Sequence, residues 1–133
     1  MRYSSGMAYT AKKVSANLVE DKGELHYACG GLWDENSIDE LFDTLNRASE
    51  PLVRARRPIY SLGDFTDALP QDQKTAEKIG SYLRTAQQFG LDRTAIFGAP
   101  RLMEMQYRRV APDINVEFFD TKSEALTWLR ADR

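Results

Sequence analysis

Val116-Glu117-Phe118-Phe119-Asp120-Thr121-Lys122-Ser123-Glu124-Ala125-Leu126-Thr127-Trp128-Leu129 is the stretch that decides the fold. Val116 to Phe119 is a short apolar run of the kind that fills a buried strand. Thr121-Lys122-Ser123-Glu124 is a capping box: the hydroxyl and the carboxylate each satisfy a backbone N–H left free at a helix start. Ala125, Leu126, Trp128 and Leu129 then supply the apolar side of a helix. The unit is strand, tight turn, helix.

The same unit recurs upstream. Thr94-Ala95-Ile96-Phe97 is a short strand, and Gly98-Ala99-Pro100 turns the chain into a helix over about residues 101–110, with Pro100 near its start. Met103, Tyr107 and Val110 point inward. At about 100° per residue, Arg101, Met105 and Arg108 share the opposite side, with Arg109 at its edge. Ala111-Pro112 stops that helix. Earlier still, Ile59-Tyr60-Ser61-Leu62 suits a buried strand ended by Gly63-Asp64. The loop Phe65-Thr66-Asp67-Ala68-Leu69 leads to Pro70, which is expected in the first turn of a helix. Ala76, Ile79, Leu83 and Ala86 form one stripe of that helix, with Tyr82 beside it. Gly90 is its expected left-handed C-cap, with Leu91 as the accompanying apolar contact.

Towards the N-terminus, Ser37-Ile38-Asp39-Glu40 reads as another capping box. Ile38, Leu41, Phe42 and Leu45 follow at helical spacing. Residues 49–57 fit a short helical piece or a loop, and both readings stand. A strand is expected from about Met7 to Glu20, in which Val14, Ala16 and Leu18 alternate with Ser15, Asn17 and Val19. Asp21-Lys22-Gly23 is a turn signal. The return strand, Glu24 to about Gly30, puts Leu25, Tyr27 and Cys29 on one face, completing a hairpin.

The order is therefore β-β-α-β-α-β-α-β-α. Strands alternating with helices predict an α/β fold with a mixed, mostly parallel sheet of about five strands and right-handed crossovers. The 133 residues suit a single domain spanning 1–133, with residues 1–6 expected as a flexible N-terminal tail. An apolar share of 42% excludes a disordered chain. A net charge of −2 argues against general nucleic-acid binding, which needs a basic surface. The single cysteine, Cys29, allows no intrachain disulfide and fits a reducing compartment. The first residues lack the apolar run of a signal peptide, and no apolar stretch is long enough for a transmembrane helix. A cytoplasmic protein is the expectation.

This order of elements resembles the STAS-like fold of the anti-sigma-factor antagonists, in particular the SpoIIAA-like group with its Sec14-like relatives. The last third carries the likeness: a short apolar strand at 94–97, then Val116 to Phe119, then Glu124-Ala125-Leu126-Thr127-Trp128-Leu129, similar to that group's closing "E-A-x-x-W-L". The resemblance implies a bacterial-type, non-enzymatic regulatory or protein-interaction module that takes a protein partner or self-associates. Its Sec14-like side implies an alternative, a binder of a lipid or small apolar ligand. The 14 aromatic residues suit such a pocket, which would need a cavity of roughly 300 Å³ or more. STAS antagonists carry a phosphorylatable Ser or Thr after the third strand, at the start of the following helix. Thr66 occupies the nearest place here. The family's "D-S-S-G"-like run is absent, and the helix is expected later, near Pro70.

No catalytic constellation is visible. His26, the only histidine, lies three positions before Cys29, so on a strand the two face opposite ways. One His and one Cys do not make a usual zinc set, and no metal or cofactor is expected. Asp64 and Lys122 imitate the Asp and Lys of a response-regulator receiver, but the adjacent acids such a site needs would sit in the hairpin turn, at Glu20-Asp21. Ligands of open α/β sheets bind beyond the carboxyl ends of strands. That rule selects Asp64, Phe65 and Thr66 after one strand, Gly98, Ala99 and Pro100 after the next, and Asp120 to Lys122 after the last, as a ligand, anion or partner surface. Arg101 adds charge at a helix start, where free N–H groups favour an anion. Of the 18 basic residues 12 are Arg, clustered at 54, 56, 57 and at 101, 108, 109. Clustered arginines are ordinarily solvated charge. Met105 among Arg101 and Arg108 also has the composition of a protein contact.

Overall fold

The computed structural model describes residues 13–133. The expected tail at 1–6, and the part of the first strand placed at 7–12, lie outside the described residues. Strands β1 (Lys13–Val19) and β2 (Glu24–Gly30) are joined by a single 3-10 turn, with Gly23 in the left-handed region at φ +67°. Then follow α1 (Ile38–Arg54), β3 (Ile59–Asp64), α2 (Gln73–Gln88), β4 (Leu91–Phe97), α3 (Arg101–Val110), β5 (Val116–Phe119) and α4 (Lys122–Leu129). The five strands lie side by side in chain order. β1 and β2 are antiparallel, and β2 to β5 are parallel.

Parallel neighbours joined in order, with one hand of crossover, carry all their connecting helices on one face. Buried residues of α1, α2 and α3 share one core with Leu25, Cys29, Ile59 and Ile96 of the sheet. The opposite face has a smaller core, where Ala125 and Leu129 of α4 cover Leu62 and Ala95. Alternation along β2 assigns Leu25, Tyr27 and Cys29 to the three-helix side, and Glu24 and His26 to the α4 side.

Four local expectations need correction, and one open reading is settled. Residues 49–54 are helical: α1 runs through Pro51 to Arg54. The proline costs one helical bond, but it carries the fully buried Leu52 beside it. Ser37 does not cap α1, since it is already helical at φ −78°, ψ −21°. The reciprocal box lies one turn earlier: Ser37 N–H donates to Asp34 Oδ1 (2.7 Å), and Asp34 N–H donates to Ser37 Oγ (3.0 Å). Pro70 is not in the first turn of α2, which starts at Gln73 with Asp72 accepting from Thr75 N–H at 2.9 Å. β3 continues through Gly63 to Asp64, and a Cβ at Gly63 would lie 2.8 Å from the Tyr27 ring. β4 begins earlier than expected, at Leu91, which pairs with Ile59. Gly90 keeps its positive φ, +114°.

Candidate functional site

The carboxyl ends of β3 and β4 meet in two interlocked turns. Asp64 closes β3, and its Oδ1 accepts from Thr66 N–H (3.0 Å) and from Thr66 Oγ1 (2.6 Å). A short polar side chain holding the backbone two residues on is what makes Asp a turn former. Gly98 follows β4 with φ +76°, and its N–H donates to Phe119 O at 3.1 Å. A Cβ on Gly98 would stand 2.7 Å from Thr66 Oγ1, so glycine is what lets the two turns touch. Pro100 then caps α3, its carbonyl accepting from Met103 N–H at 2.9 Å and Glu104 N–H at 3.2 Å.

The residues singled out above do not all share one surface. Thr66, Arg101, Met105 and Arg108 are exposed. Phe65 is not: it is 1% exposed, edge-on to Tyr27 and Tyr107, and belongs to the core beneath the turn. Arg108 is engaged at the sheet edge, with Glu104 at 3.2 Å, Glu117 at 3.3 Å and the Phe118 ring under its guanidinium. Among the described residues, Arg101 and Arg109 have no ion-pair partner. The exposed side of α3 also carries Leu102, left out of the candidates above and 63% exposed beside Met105 at 55%.

His26 and Cys29 are on opposite faces of the sheet. The Cys29 thiol is buried, and burial pushes it up to about 12, so it stays protonated and a poor nucleophile. It lines an apolar cavity of about 80 Å³ between the sheet and the helices, with Trp33, Phe42, Ile79 and Tyr107 among the walls. Burial raises both the Tyr27 and Tyr107 phenols, so they too stay neutral. No group of three or more His, Cys, Asp or Glu is placed to hold a metal among the described residues. Nor, among them, is any helix long and apolar enough to cross a membrane.

The densest polar cluster lies on the other side of the sheet and escaped the sequence reading. Glu24 is fully buried. Its carboxylate accepts from Arg130 Nε (2.8 Å) and Nη2 (2.9 Å), from Arg133 Nη2 (2.7 Å), and faces His26 Nε2 at 2.8 Å. The Arg130 bonds hold it well down, at about 2, against the opposing pull of burial. Glu24 and His26 are two apart on a strand, hence on one face, and that was the available signal. The partners are more than a hundred residues away, so no local pattern named them.

No protein-family model and no curated protein matches the chain. Solved structures do. The chain is similar to an uncharacterized protein of the DUF3478 family with a SpoIIAA-like fold from Shewanella loihica PV-4, with a TM-score of 0.61 and 20% identity over 90% of this chain and 94% of that one. It is also similar to a portion of SLC26A9, with a TM-score of 0.65 and 10% identity over 98% of this chain and 26% of that one. At such identities the likeness shows the fold alone. The chain has the SpoIIAA-like, STAS-like α/β fold that its order of elements resembles.

Proposed function

We propose that the chain is a non-enzymatic regulatory module that acts in the cytoplasm by binding a protein partner at the carboxyl ends of β3 and β4. One observation carries the reading. The Asp64–Thr66 and Gly98–Arg101 turns brace each other, and beside them α3 exposes two large apolar side chains and two arginines with no ion-pair partner among the described residues. Enzymes need a nucleophile or a general base within reach of a substrate. Here the Asp64 carboxylate is occupied by Thr66, and the Cys29 thiol is sealed and protonated.

Thr66 is better suited to touching a partner than to accepting a phosphate. Its hydroxyl is held by Asp64, the next helix in the chain starts only at Gln73, and a phosphate there would face Asp64 and Asp67. A photo-crosslinking residue placed at Thr66 or Arg101 in cells should give a discrete adduct. The same residue at Thr127, exposed on α4, should give none. Equal labelling from all three positions would remove the reading.

The cavity favours a second reading, a small apolar ligand. Its 80 Å³ is below the roughly 150 Å³ that takes a benzene ring, so in this state it admits a solute of a few atoms and no lipid chain. Xenon under pressure should then shift the methyl resonances of Leu41 and Ile79. Unmoved resonances would eliminate it.

A further inference from the structure

The exposed face of α3 is mainly cationic, with Glu104 at its margin paired to Arg108. Arg108, Arg101, Met105, Arg109 and Leu102 fall within an arc of about 120° on the helical wheel, with no acid among them. Arg101 sits in the first turn, where the positive end of the helix dipole disfavours a cation. Its charge therefore serves something outside the helix. Arginine and methionine are enriched at protein interfaces, and arginine forms the flat paired bonds that carboxylates accept.

A matching surface of opposite sign lies next to it on the same chain. An open groove of about 680 Å³ runs between the starts of α1 and α2, lined by Glu35, Asp72 and Glu77 with Lys74, and the Lys78 ammonium at its edge is taken up by Glu35 O (2.8 Å) and Asp39 (3.0 Å). Leu32, 48% exposed, precedes that acidic run. Gln71 holds the two surfaces together. Its side chain bonds Trp33 N–H (2.7 Å) and Gly31 O (3.3 Å) on either side of Leu32, and its N–H donates to Gln106 Oε1 of α3 at 2.9 Å. Asp72 of the groove is the next residue in the chain. Two adjacent patches of opposite charge, each with exposed apolar residues, are what a two-fold pair requires, since each patch of one copy then meets the other patch of its mate.

We propose that the occupant of the α3 face is a second copy of this chain, with Arg101 and Arg109 of each copy in the acidic groove of the other. This rests on the interaction-module reading and gives it one partner. Arg101 and Arg109 are about 12 Å apart along the helix, so both can reach carboxylates spread along one groove.

Sedimentation velocity on three proteins tests it: the wild type, Arg101→Glu/Arg109→Glu, and Glu35→Arg/Glu77→Arg. The wild type should run as a dimer at low salt, weakening at least tenfold in 0.5 M salt as screening removes the attraction. Each variant alone should run as a monomer with an unchanged far-ultraviolet spectrum. An equimolar mixture of the two variants should dimerise again, because one contact is then native and the other is restored with its signs exchanged. A wild type that stays monomeric, a dimer indifferent to charge reversal, or a mixture that fails to associate would each overturn the proposal. A monomer that still crosslinks a different protein from Thr66 would overturn the second copy and leave the broader reading intact. Binding of the wild-type monomer to anionic vesicles, abolished by the arginine reversal, would assign the face to lipid instead.

Discussion

Glu24 shows how one residue is held against its own solvation cost. A carboxylate stripped of water is expensive unless several charge-assisted bonds replace the lost hydration. Two arginines and His26 supply them. Arg133 also lies over the Tyr60 ring, and Arg93 donates to the carbonyls of Trp128 (3.1 Å) and Ala131 (2.7 Å), so the end of α4 is tied down at several points. The acid dependence follows in sign. The folded-state value, about 2, lies below the ordinary 4.5. The group therefore stabilises the fold fully above that ordinary value, and the contribution is lost as pH falls through about 2. Arg130→Ala should cost roughly 2–3 kcal/mol in urea melts at neutral pH and move the acid-unfolding midpoint to higher pH. An unchanged midpoint would mean that the cluster is ornamental. Arg56 is the opposite case. It sits at φ +54° just past α1, where glycine is favoured. Arg56→Gly should raise stability by about 1 kcal/mol, measured the same way.

At the scale of elements, two sites decide where the helices lie. Gly80 of α2 passes the end of α3 so closely that a Cβ would stand 2.6 Å from Val110 O. Gly80→Ala should push the helices apart and cost about 1–3 kcal/mol, with the largest amide shifts in α3. Shifts confined to α2 would contradict the contact. Asp72→Ala should remove the α2 cap at about 1 kcal/mol, while Ser37→Ala should act through Asp34 and not directly on α1. Periodicity and capping chemistry made most elements legible. The Thr121–Glu124 box is as read, and Met103 and Tyr107 face inward as their spacing requires. What escaped was decided by distant contacts. Gln71 is tied to Gln106, thirty-five residues on, and α2 starts only after it. Phe65 looked like part of an exposed loop because nothing local shows that Tyr27 and Tyr107 await it. Leu102 drew no notice because a lone leucine on a helix gives no sign of its exposure.

The whole molecule divides its labour across the sheet. One face carries three helices and the larger core; the other carries α4 and the buried ionic cluster. The rim where β3 and β4 end is accessible, with the cationic side of α3 beside it and the acidic groove next to that. That rim is where we propose another protein is held. Native mass spectrometry of the tagged chain, isolated from its own cells at low salt, tests this most directly. A stoichiometric assembly heavier than one chain, dispersed when Arg101 and Arg109 are reversed in sign, is the predicted result. A spectrum holding the single-chain mass alone, at every concentration and salt, would contradict it.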